Sequence, residues 1–237
     1  MLSLVTKDLH FMSERKRASC LSQDGFEIHR GVFSADEIES LRKEADRVAN
    51  EAGSACVRNL NPRSELFREL SNSPKLREIF PSDPLSTVRS LLFDKTPQEN
   101  WPVAWHQDLT IATKAEISCE GFGPWTVKDG VPHAHAPVDL LSQMVTARIH
   151  LDPTHAENGA LMVVPGSHQL GRIPSESISE ITSSSITCEC QPGDVLLMSP
   201  LILHSSRKSS IPNRRRILHF EYAPPNALDS CLCWHEA

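Results

Sequence analysis

The first clear periodicity along the chain begins at Ser34. Ile38, Leu41, Ala45 and Val48 recur at spacings of three and four, the apolar stripe of a helix over residues 35–51. Ser34 and Glu37 stand in the capping-box relation at its start, and Gly53 ends it. Two shorter helices are predicted over 64–71 and 74–80. The second carries Pro74 in its first turn, where a missing N–H costs nothing. Beyond residue 84 the pattern changes to short β-type runs: 86–93, 103–107, 143–151, 160–164, 185–190, 195–199, 201–205 and 214–222. Turn pairs such as Asp152-Pro153, Asn158-Gly159, Pro165-Gly166 and Pro192-Gly193 separate them, as in a sandwich or barrel. In the last run Arg216, Leu218, Phe220 and Tyr222 form a largely apolar face that calls for cover. Arg215, Ile217, His219 and Glu221 form the opposite face, suited to a ligand-lined interior. The serine-rich stretch Ser175–Ser185 reads as a surface loop or short helix. Together these elements predict a helical layer on one face of a β-sandwich whose other face encloses a site.

Composition narrows the function. The 237 residues suffice for one large domain. A net charge of −6 argues against a nucleic-acid partner. No apolar run approaches the roughly 20 residues that span a bilayer, so no membrane partner is expected. The first residues lack the apolar centre of a signal peptide, and a cytoplasmic location is expected. Seven scattered cysteines are expected to be free thiols. Cys188/Cys190 and Cys231/Cys233 could supply four thiolates, but one-residue spacing is not that of zinc sites.

The eleven histidines carry the candidate chemistry. Residues two apart on a strand share a face, so His-x-Asp presents two metal ligands together. The chain has His106-Gln-Asp108 and His150-Leu-Asp152, with His155-Ala-Glu157 and His219-Phe-Glu221 as glutamate versions. Composition does not choose among them. A facial triad needs a further histidine from a later strand. His204, ending the apolar run Leu201-Ile-Leu, is either that ligand or a hydrogen-bonded core histidine.

Several segments, in order, resemble the phytanoyl-CoA dioxygenase family of iron(II)- and 2-oxoglutarate-dependent oxygenases. They are Asp24-Gly-Phe26, Phe93-Asp-Lys-Thr-Pro97, Trp105-His-Gln-Asp-Leu-Thr-Ile-Ala112, Glu157-Asn-Gly-Ala-Leu-Met-Val-Val-Pro-Gly-Ser-His168, Pro192-Gly-Asp-Val195, His204-Ser-Ser206 and Arg214-Arg-Arg-Ile-Leu-His-Phe-Glu-Tyr222. The resemblance implies a mainly β fold with flanking helices: a jelly-roll, cupin-like double-stranded β-helix with an N-terminal helical layer. Residues 1–21, polar and irregular, read as a flexible extension. The tail over 226–237 has no counterpart, and the resemblance covers a single oxygenase domain over 22–225. It selects His106, Asp108 and His204 as the catalytic metal ligands and leaves His150 as a packing or supporting residue. It places Arg215, eleven residues after His204, on the distal carboxylate of 2-oxoglutarate, a task for which a guanidinium fork is suited. Ser206 would join it, and Trp125, nineteen residues beyond His106, would stand beside the co-substrate or act as a core or lid residue. Lys95 points either into the cavity or along a strand end. Gln143, Thr146 and Arg148 stand unranked near the co-substrate's other end. The stretch Gly123–Pro137, with His133 and His135, reads as a lid or a solvated loop.

The activity so implied is hydroxylation of a small-molecule substrate, using O2 and turning 2-oxoglutarate into succinate and carbon dioxide. Halogenases of this kind lack the ligand carboxylate, so Asp108 points to hydroxylation. Two other readings stand beside it: a cupin-like metal enzyme that does not use 2-oxoglutarate, and a non-catalytic β-sandwich binding module.

Overall fold

The computed structural model describes residues 20–82, 84–211 and 213–236. The extension expected over 1–21 lies almost wholly outside them. Helix α1 (Leu21–Asp24) and strand β1 (Phe26–His29) come first, then helix α2 (Ala35–Ala52), strand β2 (Cys56–Arg58), and helices α3 (Glu65–Ser71) and α4 (Pro74–Ile79). The β-rich part continues as β3 (Ser86–Lys95), β4 (Val103–His106), β5 (Thr110–Ala112), β6 (Trp125–Lys128) and β7 (Val131–His135). After helix α5 (Val138–Leu141) come β8 (Val145–His150), β9 (Leu161–Val163), helix α6 (Ile178–Ile181), β10 (Ile186–Cys188), β11 (Val195–Met198), β12 (His204–Ser206) and β13 (Arg215–Ala223).

The strands form a six-stranded sheet ordered β1-β11-β8-β13-β3-β2, a four-stranded sheet ordered β10-β9-β12-β4 and a three-stranded sheet ordered β5-β7-β6. Helix α2 begins with the expected reciprocal cap: the Ser34 amide donates to Glu37 Oε2 at 2.7 Å, and Ser34 Oγ accepts from the Glu37 amide. Its apolar stripe covers the outer face of the large sheet. Ile38, Leu41, Ala45 and Val48 pack with Val145, Ala147 and Ile149 of β8, Val195 and Leu197 of β11, and Leu218, Phe220 and Tyr222 of β13. Each large apolar side chain so buried contributes roughly 1.5–3 kcal/mol. Alternation then turns Arg148 of β8, and Arg215 and His219 of β13, toward the small sheet. One end of the inter-sheet space is filled by Leu161, Val163, Cys188, Leu196, Met198 and Ile202. The other end stays open as a polar cavity.

Several expectations are corrected. Gly123–Pro137 is not a loop: it contains the β6/β7 hairpin, turned at Asp129-Gly130 with φ of 51° and 78°. Asp-Gly accepts positive φ at both positions, so it makes the tight turn whose twist matches the flanking strands. The run 201–205 is a buried turn through Leu203, with the Ile202 amide bonded to Ser199 O, and strand structure begins only at His204. Not all thiols are free, because Cys119 and Cys231 are disulfide-bonded. That bond removes Cys231 from any four-thiolate set. Cys188 and Cys190 are buried, and burial pushes both thiols up to about 12, so they are inert packing groups. Residues 227–236 pack back on the fold. Trp234 joins Ile111, Leu141, Met144 and Leu201, and Glu236 accepts from the Ser90 amide.

Candidate active site

Strands β4 and β12 are antiparallel neighbours, and their register puts His204 directly opposite His106. The chain leaves β4 through Gln107, whose side chain points away and pins a neighbouring loop. Its Nε2 donates to Gly171 O and Leu201 O, and its Oε1 accepts from the Ile173 amide. Asp108 thereby returns to the His106 side, its own amide fixed on Pro200 O at 2.9 Å. His106 Nε2 lies 3.6 Å from Asp108 Oδ1, and His204 Nε2 lies 3.6 Å from Asp108 Oδ2. Among the described residues, these three make a cluster whose ligand atoms all fall within 4.8 Å of one another.

The protonation of the two imidazoles is set by the backbone. His106 Nδ1 donates to Ala104 O at 2.8 Å and His204 Nδ1 to Ile202 O at 2.9 Å. A carbonyl can only accept, so each proton resides on Nδ1 and each Nε2 lone pair faces Asp108. Burial pushes His204 down to about 4, keeping it neutral. Two neutral nitrogens and one carboxylate on one side of a point, with the other side open, match the donor set of a non-haem iron(II) centre.

The cluster opens on a cavity of about 180 Å³. Phe93, Trp101, Val103 and Leu161 give it apolar walls; Lys95, Arg148 and Arg215 give it cations. Arg215 is almost fully buried, donates to Gly159 O and lies 3.5 Å from Ser206 Oγ. Lys95 Nζ donates to Ser206 Oγ and Arg207 O, both at 3.0 Å, and sits over the Trp101 ring. Burial and the neighbouring arginines push Lys95 down to about 7, and burial and Arg148 push Arg215 down to about 9. No carboxylate among the described residues lies within ion-pair distance of Lys95, Arg148 or Arg215. Elsewhere buried cations are paired: Arg216 is held by Asp152 and Asp46, and Arg89 by Glu221. A buried cation left without a counter-charge is costly, so this cavity is built to receive an anion.

The rival histidine pairs take other places. Asp152 is consumed by Arg216, and His150 is fully buried, bonded to Thr154 Oγ1 and absent from the cavity wall. His155 and Glu157 face outward at 4.0 Å. His219 lines the cavity with its Nδ1 on Arg148, and Glu221 lies buried behind it. His133 is buried on β7 and bonded to Val131 O, with no metal-ligand cluster around it or His135 among the described residues. Trp125 lies on β6 in the third sheet and does not line the cavity, whereas Trp101 does. Trp101, Gln107 and Gly159 were not legible as site residues; only Asn158-Gly159 gave a signal, as a turn.

A protein-family model described as Phytanoyl-CoA dioxygenase (PhyH) matches residues 21–217, most of the chain. The chain belongs to the phytanoyl-CoA dioxygenase family. Among curated proteins it is similar to the ectoine dioxygenase of Sphingopyxis alaskensis, 23% identical over 239 residues and covering 83% of this chain and 71% of that one. Among solved structures, EctD from S. alaskensis with bound Fe superposes with a TM-score of 0.67 at 19% identity, covering 89% of this chain and 76% of that one. The epimerase SnoN from nogalamycin biosynthesis, solved with Fe3+, alpha ketoglutarate and nogalamycin RO, gives a TM-score of 0.66 at 20% identity, covering 86% and 80%. These likenesses confirm the mainly β, cupin-like fold. No described helix is long and apolar enough to cross a membrane.

Proposed function

We propose that this chain is an oxygenase that uses iron(II), 2-oxoglutarate and O2 to hydroxylate a small-molecule substrate, releasing succinate and carbon dioxide. One observation carries the proposal: a two-histidine, one-carboxylate set and uncompensated buried cations open on the same cavity. His106 and His204 would hold the metal through Nε2 and Asp108 through its carboxylate. Iron bound there supplies the redox chemistry that couples decarboxylation of the co-substrate to oxidation of a C–H bond. Arg215 grips the distal carboxylate, Ser206 lines the same end, and Lys95, whose Nζ donates to Ser206 Oγ, adds charge beside them. Phe93, Trp101 and Leu161 give the cavity apolar walls that exclude water. Trp125 has no part in this assignment. Asp108 fills a ligand position that a halide would need, which favours hydroxylation over halogenation. The likeness to ectoine dioxygenases supports a small, non-polymeric substrate.

Succinate formation from 2-oxoglutarate in air, with iron(II) and no added substrate, tests the assignment. Wild type should form succinate slowly and only with iron. Asp108→Ala should form much less, and Arg215→Ala should need about 10- to 100-fold more 2-oxoglutarate for the same rate. Equal succinate formation by Asp108→Ala and wild type would overturn it.

A further inference from the structure

Arg148 is the cation the distal-carboxylate site leaves unused. It stands on β8 opposite His219 of β13, four residues along from Arg215. Its Nη1 lies 2.9 Å from His219 Nδ1. A guanidinium can only donate, so Nδ1 accepts and the imidazole proton resides on Nε2. That Nε2 faces Glu221 Oε1 at 3.3 Å, and the same oxygen accepts from Arg89 Nη1 at 3.0 Å. Phe93 lies beneath the guanidinium, 5.5 Å from its centre. Ring and relay thus fix Arg148 while neutralising none of its charge, and its Nε has no hydrogen-bond partner among the described residues. The cavity has an open and a closed side: the His106 side chain is 38% exposed, but Arg148 is 6% and His219 4% exposed. Only a ligand seated deep, between the metal ligands and the large sheet, can reach Arg148.

Resting on the functional assignment above, we propose that Arg148 is a second carboxylate clamp. It holds the metal-proximal carboxylate of the 2-oxo acid, and His219 and Glu221 act as positioning residues behind it. The cavity then carries one anchor for each end of a dicarboxylate: Arg215 with Ser206 and Lys95 at one end, Arg148 at the other. A carboxylate paired with a buried guanidinium gains more than a neutral hydrogen bond would, and the pairing orients the oxo acid before any reaction.

Binding to manganese(II)-loaded full-length protein tests this without turnover, with metal loading followed separately by the free manganese signal. The probes are 2-oxoglutarate and 2-oxobutyrate, which keeps the 2-oxo acid end and lacks the distal carboxylate. Arg148→Gln should weaken both by a similar factor, about 10- to 100-fold. Arg215→Gln should weaken 2-oxoglutarate and leave 2-oxobutyrate unchanged. Arg148→Lys, which keeps the charge, should recover part of the loss, and His219→Phe should reproduce the Arg148 pattern at smaller size. Affinities of Arg148→Gln within twofold of wild type for both probes would reduce Arg148 to a packing residue and overturn the proposal. Loss for 2-oxoglutarate alone would move Arg148 to the distal end and also overturn it. Failure of wild type itself to bind either probe would instead sink the functional assignment, and Arg148's role with it.

Discussion

Single residues in the cavity are explained by what their neighbours lack. Lys95 is a buried lysine with hydroxyl and carbonyl partners but no carboxylate. Its pKa falls from 10.5 to about 7 through burial first, then Arg215 and Arg148. Between these values the unfolded chain binds a proton that the folded chain does not, so stability rises with pH through the window and is lowest below about pH 7. Lys95→Met should therefore be more stable than wild type at pH 6 in the absence of co-substrate, and the gap should narrow above about pH 7 and close only above about pH 10.5. At about 1.4 kcal/mol per pKa unit the difference is large enough to read by thermal melting. A constant gap across that range would contradict the assigned cause. Arg215 was legible in the sequence because its strand alternates and its spacing from His204 matches a known family. Arg148 could be named but not ranked, because its missing counter-charge exists only once β8 and β13 are paired. Trp125 and Trp101 show the opposite failure. Distance along the chain cannot say which tryptophan reaches the cavity, and the hairpin carries Trp125 off to another sheet.

Elements were legible wherever one face had to be buried. The helix over 35–51 and the strands over 86–93, 143–151, 195–199 and 214–222 all announce themselves by an apolar face, and each forms within a few residues of the expected bounds. Strands β2, β5, β6 and β7 lack such a pattern. Their pairing is decided by the turn at Asp129-Gly130 and by neighbours distant in sequence. One turn also builds the site. Gly159 has φ of +76°, and its carbonyl accepts from Ser206 Oγ and Arg215 Nη1. A Cβ there would stand 2.3 Å from Arg207 O, whereas one on Gly31, with φ of +61°, would meet nothing. Gly159→Ala should cost more than about 1 kcal/mol and weaken 2-oxoglutarate binding. Gly31→Ala should pay backbone strain alone and bind normally. Denaturant unfolding and a binding titration on both variants check the pair, and equal behaviour would contradict the role given to Gly159.

At the scale of the whole molecule, the fold makes a cavity by filling only one end of the space between two sheets. Helix α2 seals the outside of the large sheet, so its inner face can carry charge where other cores carry leucine. The returning C-terminal residues close the far side, with the Cys119–Cys231 bond spanning 112 residues of chain. That closure was not legible, because nothing in a short polar stretch containing Cys-Leu-Cys-Trp says where it packs. The cluster of His106, Asp108 and His204 was legible only in part. His106-x-Asp108 and His150-x-Asp152 are equivalent as strings, and what separates them is Arg216, which occupies Asp152, while β12 brings His204 to His106. The most direct measurement is therefore an anaerobic absorbance titration with iron(II), then 2-oxoglutarate, on wild type, His106→Ala and His150→Ala. A visible iron-to-2-oxoglutarate charge-transfer band is predicted for wild type and His150→Ala and should be lost in His106→Ala. A wild-type protein that binds iron yet gives no band on adding 2-oxoglutarate would contradict the account.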